Sequence, residues 1–168
     1  MATSDSKGSV GSAAVEPNKA MFIRALVAFI ALPGVVAFLV PSLWLWRAGH
    51  TQPTHPWGFG LLLLGLTLLL WCVRDFYVAG KGTLAPWAPP QRLVIVGLYR
   101  YSRNPMYIAV TLILLGWSLT FGLRGLLAYT LVVAIAFQLR VVLGEEPWLA
   151  RTHGQQWTDY VRRVRRWL

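Results

Sequence analysis

The sequence predicts an all-α protein: an integral membrane bundle of four transmembrane helices with a cytoplasmic loop and a C-terminal tail. Three observations carry the prediction. Of 168 residues, 56% are hydrophobic and 13% are charged, whereas a soluble domain carries about 25% charged residues to keep its surface wet. The apolar residues fall into four runs long enough to be read as helices. The basic residues gather beside those runs rather than over a soluble surface.

Residues 1–19 are rich in small polar residues, lack apolar periodicity and read as a disordered tail. The domain proper is then 20–168. Its first run, about 21–46, is long enough to cross a hydrocarbon layer of ~30 Å and holds Pro33, Gly34 and Pro41 as kink points. It is too long for a signal peptide and ends in "SLWLW" rather than a small-residue cleavage site. The second run, 57–73, contains no charge. The third, about 105–122, and the fourth, about 124–146, are separated by so few residues that they predict a tight antiparallel hairpin.

Orientation follows from the basic residues. Lys7, Lys19 and Arg24 lie before or early in run one, and Arg74, Lys81, Arg92, Arg100 and Arg103 lie between runs two and three. More arginines follow run four, while the two other connections hold only Arg47 and Arg124. The positive-inside rule therefore places both termini and the 74–105 loop in the cytoplasm, in a bacterial inner membrane or its equivalent. Trp44, Trp46, Trp57, Trp71, Trp117 and Trp148 fall near helix ends, as an interfacial belt requires. The net charge of +10 thus reads as contact with anionic lipid and not with nucleic acid, for which no zinc or helix-turn-helix frame exists. The single cysteine, Cys72, excludes a disulfide framework or a cysteine metal site.

Two polar segments interrupt this pattern. "YRYSRNPMYIAV", 99–110, crowds arginines and tyrosines against the start of the third helix. Asn104-Pro105 is a helix-start signature: asparagine caps free N–H groups, and proline at the first helical position forfeits no hydrogen bond. Arg103 and Tyr107, four apart, share one side if the turn extends that far, and a helix N-terminus favours an anion. "FQLRVVLGEEPWL", 137–149, carries Gln138 and Arg140 inside an apolar run, where an ionisable group faces a cavity or a partner. Gln138 and Glu145, seven apart, lie on nearly one helical face. Glu145 and Glu146 close the helix, where the macrodipole disfavours carboxylates, so a positive group is expected beside them. Because the two helices form a hairpin, the start of one and the end of the other must meet at the same face. The resulting pocket offers arginine, helix-start N–H groups, tyrosines and two carboxylates.

"QRLVIVGLYRYSRNPMYIAV" followed by "EEPWLARTHGQQWTDYVRRV" resembles the isoprenylcysteine carboxyl methyltransferase family. "NPMY" and "EEPW" are also similar to phosphatidylethanolamine N-methyltransferases. The resemblance spans roughly 91–163 and rests on two motifs in the right order. It implies a membrane methyltransferase in which Gln91, Arg92, Leu93, Val94, Tyr99, Arg103, Asn104, Pro105, Met106, Tyr107, Glu145 and Glu146 surround S-adenosyl-L-methionine. A lipophilic methyl acceptor then enters from the bilayer. Arg140, displaced by one residue from the family arginine that faces the acceptor, and Glu146 are the candidate catalytic residues. Asn104 stands where histidine is commoner, and Ala109 stands where glycine usually follows the tyrosine. His153 reads as a surface histidine.

The implied reaction is direct displacement at a sulfonium methyl group, driven by alignment and desolvation. A carboxylate acceptor is already a nucleophile, whereas an ammonium headgroup must first lose a proton, for which a glutamate serves. The sequence leaves both open. It also leaves open two other classes, a sterol-type membrane reductase using a nicotinamide cofactor and a small transporter subunit. Neither GxGxxG nor GxxxxGK[ST] occurs, although a membrane reductase need not use them.

Overall fold

A computed structural model describes residues 30–49, 52–79 and 93–168. The predicted N-terminal tail, the beginning of the first run, and Gln91 and Arg92 lie outside the described residues. All regular structure in the described residues is helical, apart from one isolated parallel bridge between Ser102 and Arg165.

The first apolar run appears as a π-wound stretch, Ile30–Leu39, leading into α1, Val40–Ala48. Pro33 lies inside the π stretch; its ring cannot donate a backbone hydrogen bond, and the wider winding accommodates it. Gly49, at φ 64, ends α1 in a left-handed cap. The second run forms α2, Gly58–Ala79, which continues past the predicted end at residue 73 and carries Arg74 and Asp75 on its last turns. The third forms α3, Pro105–Phe121, closed by Gly122 at φ 64. The fourth forms α4, Arg124–Arg140, and runs without a break through a π turn, Val141–Glu145, into α5, Glu146–His153.

Two of these segments, Gly58–Phe76 and Arg124–His153, are long and apolar enough to cross a bilayer. Pro33–Ala48 and Pro105–Phe121 are shorter apolar helices. The long segments are apolar outward as well as inward: Leu63 on α2 is 67% exposed and Leu131 on α4 is 63% exposed. Large apolar faces of this kind call for lipid rather than water.

α2 and α3 are antiparallel and meet backbone to backbone. A Cβ on Gly65 would stand 2.8 Å from the Ala109 carbonyl oxygen and the Ile113 nitrogen, and one on Gly116 would stand 2.7 Å from the Leu62 nitrogen. Only glycine permits that approach, the usual device for joining helices in lipid. The core beside this seam comprises Ala37, Leu69, Ala109, Val110, Ile113, Leu114 and Val133. The predicted α3–α4 hairpin is present, joined by residues 122 and 123, and the Tyr107 and Phe137 rings stack across it at 4.4 Å between centroids.

The segment read as a C-terminal tail is structured. Gly154, at φ 48, separates α5 from α6, Gln155–Arg163. Trp157, Tyr160 and Val164 are buried together against Leu93 and Leu149. Their spacing of three and four residues puts one apolar stripe on the protein and leaves Arg162 and Arg163 outside. Residues 164–168 then fold back across the start of α3.

Candidate functional site

The polar start of α3 and the end of the α4–α5 helix meet, and Arg103 and Tyr107 of the first segment each find a glutamate of the second. Arg103 lies one residue before the N-cap and donates from Nη1 to Glu146 Oε1 at 2.8 Å. Tyr107 lies one turn into the helix and donates its hydroxyl to Glu145. The two residues therefore do not converge on one ligand position; they separate onto adjacent carboxylates. Arg140 Nε donates to Glu145 Oε1 at 2.8 Å and to the Tyr107 hydroxyl at 3.2 Å. Arg166 forms a two-pronged contact with Glu146, Nε to Oε1 at 2.9 Å and Nη2 to Oε2 at 2.8 Å. The positive charge expected beside Glu145 and Glu146 is thus supplied by three arginines.

The environments of these pairs differ. The Arg103 and Glu146 side chains are only 11% and 16% exposed, whereas Arg140 and Glu145 are 48% and 34% exposed. The Arg103 guanidinium also lies 5.7 Å over the Trp157 ring, a cation–π contact that favours its charge. Its Nε–H is buried without a partner.

Asn104 precedes the helix as predicted and Pro105 occupies its first turn, but the expected asparagine cap is absent: no side-chain cap bond forms. Instead the Asn104 Nδ2 donates to the Arg166 carbonyl at 3.0 Å, and its own backbone N–H donates to Ser102 Oγ at 3.1 Å. The cap is replaced because residues 164–168 bring a carbonyl within reach. Arg103 N–H donates to the Arg165 carbonyl at 2.9 Å in the same contact. With the asparagine engaged elsewhere, the first N–H groups of α3 keep no side-chain acceptor of their own helix.

The remaining predicted residues surround this point. Tyr99 is buried in a short 3-10 turn, Gly97–Arg100, and packs with Val94 and Cys72. Burial raises its phenol well above the ordinary tyrosine value. Met106 packs against both this cluster and the main core. Leu93 packs instead against Trp157, Tyr160 and Val164. The Tyr160 hydroxyl donates to the Tyr99 carbonyl at 2.7 Å; burial pushes its phenol up to about 12, against the opposing pull of Arg103. The bonds to Glu146 hold the Arg166 guanidinium more firmly protonated than usual. His153 is half-buried with Nε2 unpartnered, edge-on to Trp148.

Arg166, Trp167 and Trp157 belong to the site but carry no signal of their own: the arginines of "RRVRRWL" are interchangeable by type, and nothing in "QQWTDY" marks its tryptophan. Trp167 Nε1 donates to Gln138 Oε1 at 2.9 Å, which gives the half-buried glutamine of α4 its partner. Beside this bond lies a cavity of about 300 Å³ between α3 and α4. A larger hollow of about 570 Å³ touches α1 near Trp44 and Arg47, remote from these motifs.

The fold and site define an all-helical protein with membrane-length apolar helices and a polar center built from two ordered motifs. Comparison with known proteins gives the family. A family model described as phospholipid methyltransferase matches residues 54–156, more than half of the chain, and the chain belongs to that family. It is also 32% identical over 91 residues to the Delta(14)-sterol reductase of Mus musculus, a match covering 54% of this chain and 22% of the relative. The chain thus spans about a fifth of the length of that curated relative. No solved structure matches it.

Proposed function

We infer that this protein is an integral membrane S-adenosyl-L-methionine-dependent methyltransferase acting on a lipophilic acceptor. The observation that carries the reading is the meeting of the Arg103–Tyr107 and Glu145–Glu146 motifs in one cluster with more cations than anions. Three arginines face two glutamates there, leaving an excess positive charge. The buried, unpartnered Nε–H of Arg103 and the uncapped N–H groups of α3 suit a carboxylate. The amino-acid end of S-adenosylmethionine carries one, so the donor set fits this cofactor. When bound, the cofactor supplies an electrophilic methyl group on a sulfonium center.

In this reading Arg103 and the α3 N-terminus hold the cofactor carboxylate, while Tyr99, Val94 and Met106 form an apolar wall that excludes water. Arg140, half-exposed and bridging Glu145 to Tyr107, orients an anionic acceptor group. Glu145 and Glu146 place and neutralise the arginines; for an ammonium acceptor, a glutamate of this pair takes the proton. Carboxyl O-methylation of the isoprenylcysteine type is the preferred reaction, because Arg140 beside an apolar cavity suits a carboxylate-bearing lipophile. N-methylation of a phospholipid amine is the alternative within the family. In the membrane, the four apolar segments cross the bilayer, with both termini and the site cytoplasmic.

The sterol reductase relative favours a second reading, a membrane reductase that binds NADPH. Titration of detergent-purified protein with S-adenosylhomocysteine and, separately, NADPH decides between them. Saturable binding of the first alone is expected; binding of NADPH alone overturns the methyltransferase reading.

A further inference from the structure

The cavity between α3 and α4 is linked to the Arg140 cluster through Phe137 and Tyr107. Phe137, which lines it, stacks on Tyr107, and the Tyr107 hydroxyl reaches Glu145 and Arg140. Ile108, Leu112 and Ala134 make its walls apolar, and Gln138 with Trp167 places a polar edge on one side. Trp167 comes from outside the hairpin: residues 164–168 cross the start of α3, and the tryptophan is set in place by its bond to Gln138. Three hydrogen bonds donated by 102–104 to the Arg165 and Arg166 carbonyls anchor that crossing. One wall of the cavity is therefore a separate piece of chain, held by Gln138 of α4 and by the residues that precede α3.

We propose that this cavity receives a single hydrocarbon chain of the acceptor, whose head lies at Arg140, and that Trp167 sets the chain length accepted. The proposal rests on the methyltransferase reading and names its substrate class. The volume chooses between one chain and two. At about 300 Å³ the cavity is at the lower limit for small-molecule pockets. A methylene occupies about the space of one liquid water, ~30 Å³, so roughly ten methylenes fill it. Two acyl chains of a membrane phospholipid exceed that; one alkyl chain of about ten carbons, or a prenyl chain of two isoprene units, does not. Charge agrees with the length argument, because an amphiphile held by its chain presents its head to an arginine already half-exposed.

The test uses the full chain in lipid nanodiscs and a diazirine-bearing twelve-carbon fatty acid as photoprobe, with labelled residues located by mass spectrometry. Alkyl sulfonates of six to sixteen carbons compete; a sulfonate pairs with arginine and accepts no methyl group. Labelling is expected on 108–112, 134–138 and 167. Competition should strengthen about fourfold per added methylene and level off near ten carbons. Ala134→Phe should move the plateau to shorter chains and Trp167→Ala to longer ones. Trp167→Phe, which keeps a ring but loses the bond to Gln138, should leave the plateau near its original place and guards against loss of folding in the alanine variant. Labelling spread over outward residues such as Leu63 and Leu131, or a plateau unmoved by both Ala134→Phe and Trp167→Ala, overturns the proposal. S-adenosylhomocysteine titration on the same samples separates the two ideas: if it binds while the plateau stays fixed, the chain site fails and the methyltransferase reading stands. If it does not bind while the plateau moves as expected, the cofactor reading fails and the hydrocarbon site stands.

Discussion

Replacing Glu146 by glutamine tests the cluster at its center. One oxygen of Glu146 accepts from both Arg103 and Arg166, and the other accepts from Arg166. Glutamine keeps one acceptor and turns the other into a donor facing a guanidinium. The Arg103 side chain is only 11% exposed, so its charge loses its partner out of water, a change that costs about 3–5 kcal/mol when a buried pair is broken. Arg166 is 36% exposed and adds less than ~1 kcal/mol after screening. The cation–π contact with Trp157 retains part of the loss, which puts the expected destabilisation at ~3 kcal/mol. For a chain of this size that corresponds to a fall in melting temperature of about 6–12 °C. Intrinsic fluorescence on heating, in one detergent, reads the temperature; hydrogen exchange reads the segment. Glu146→Gln should speed exchange at 164–168 and at 103–104, because the same glutamate holds Arg166. Arg166→Gln should speed exchange there with a much smaller change in melting. An unchanged melting temperature together with unchanged exchange in Glu146→Gln refutes the argument that this carboxylate holds the site closed.

Three further outcomes are expected. Arg140→Leu should lower turnover of an anionic acceptor about ten- to a hundredfold, the cost of one charge-assisted hydrogen bond, while its half-exposed pair with Glu145 makes the stability change less than ~1 kcal/mol; equal losses of cofactor affinity and turnover would show a purely structural arginine. Single cysteines at 52 and 165 should be labelled from opposite sides of the membrane, and labelling from one side removes the four-crossing topology. Tyr99 and Tyr160 have raised phenol values in the folded protein, so their stabilisation is complete below the unfolded value near 10 and is lost as pH climbs through 10 toward 12. Denaturation followed from pH 9 to 12 should show that loss, and Tyr160→Phe should flatten its slope.

The membrane-length apolar runs, the α3–α4 hairpin and the meeting of "RNPMY" with "EEPW" were legible because each follows from a local pattern. Hydrophobic length, a two-residue connection and paired opposite charges are visible in residue types. Three features were not. The π turn at Val141–Glu145 depends on how α4 packs, and no residue type marks it. Asn104 reads as a cap by type, yet its amide serves a carbonyl that arrives from Arg166, and main-chain carbonyls are present at every residue. The fold-back of 164–168 was hidden for the same reason, since its anchors are mostly backbone groups meeting residues some sixty positions away.

The glycine seam between α2 and α3 has a mechanical consequence. Helices that touch through side chains can slide as rotamers change, but helices in contact through backbone atoms have no such slack. Gly65 and Gly116 therefore fasten α2 and α3 into one rigid unit. Any motion that admits a ligand must be taken up elsewhere, by α4 pivoting at residues 122 and 123, by the π turn, or by lifting of 164–168. The part of the protein proposed to read the acceptor, at Arg140 and Trp167, is thus the moving part, and it opens against a fixed frame.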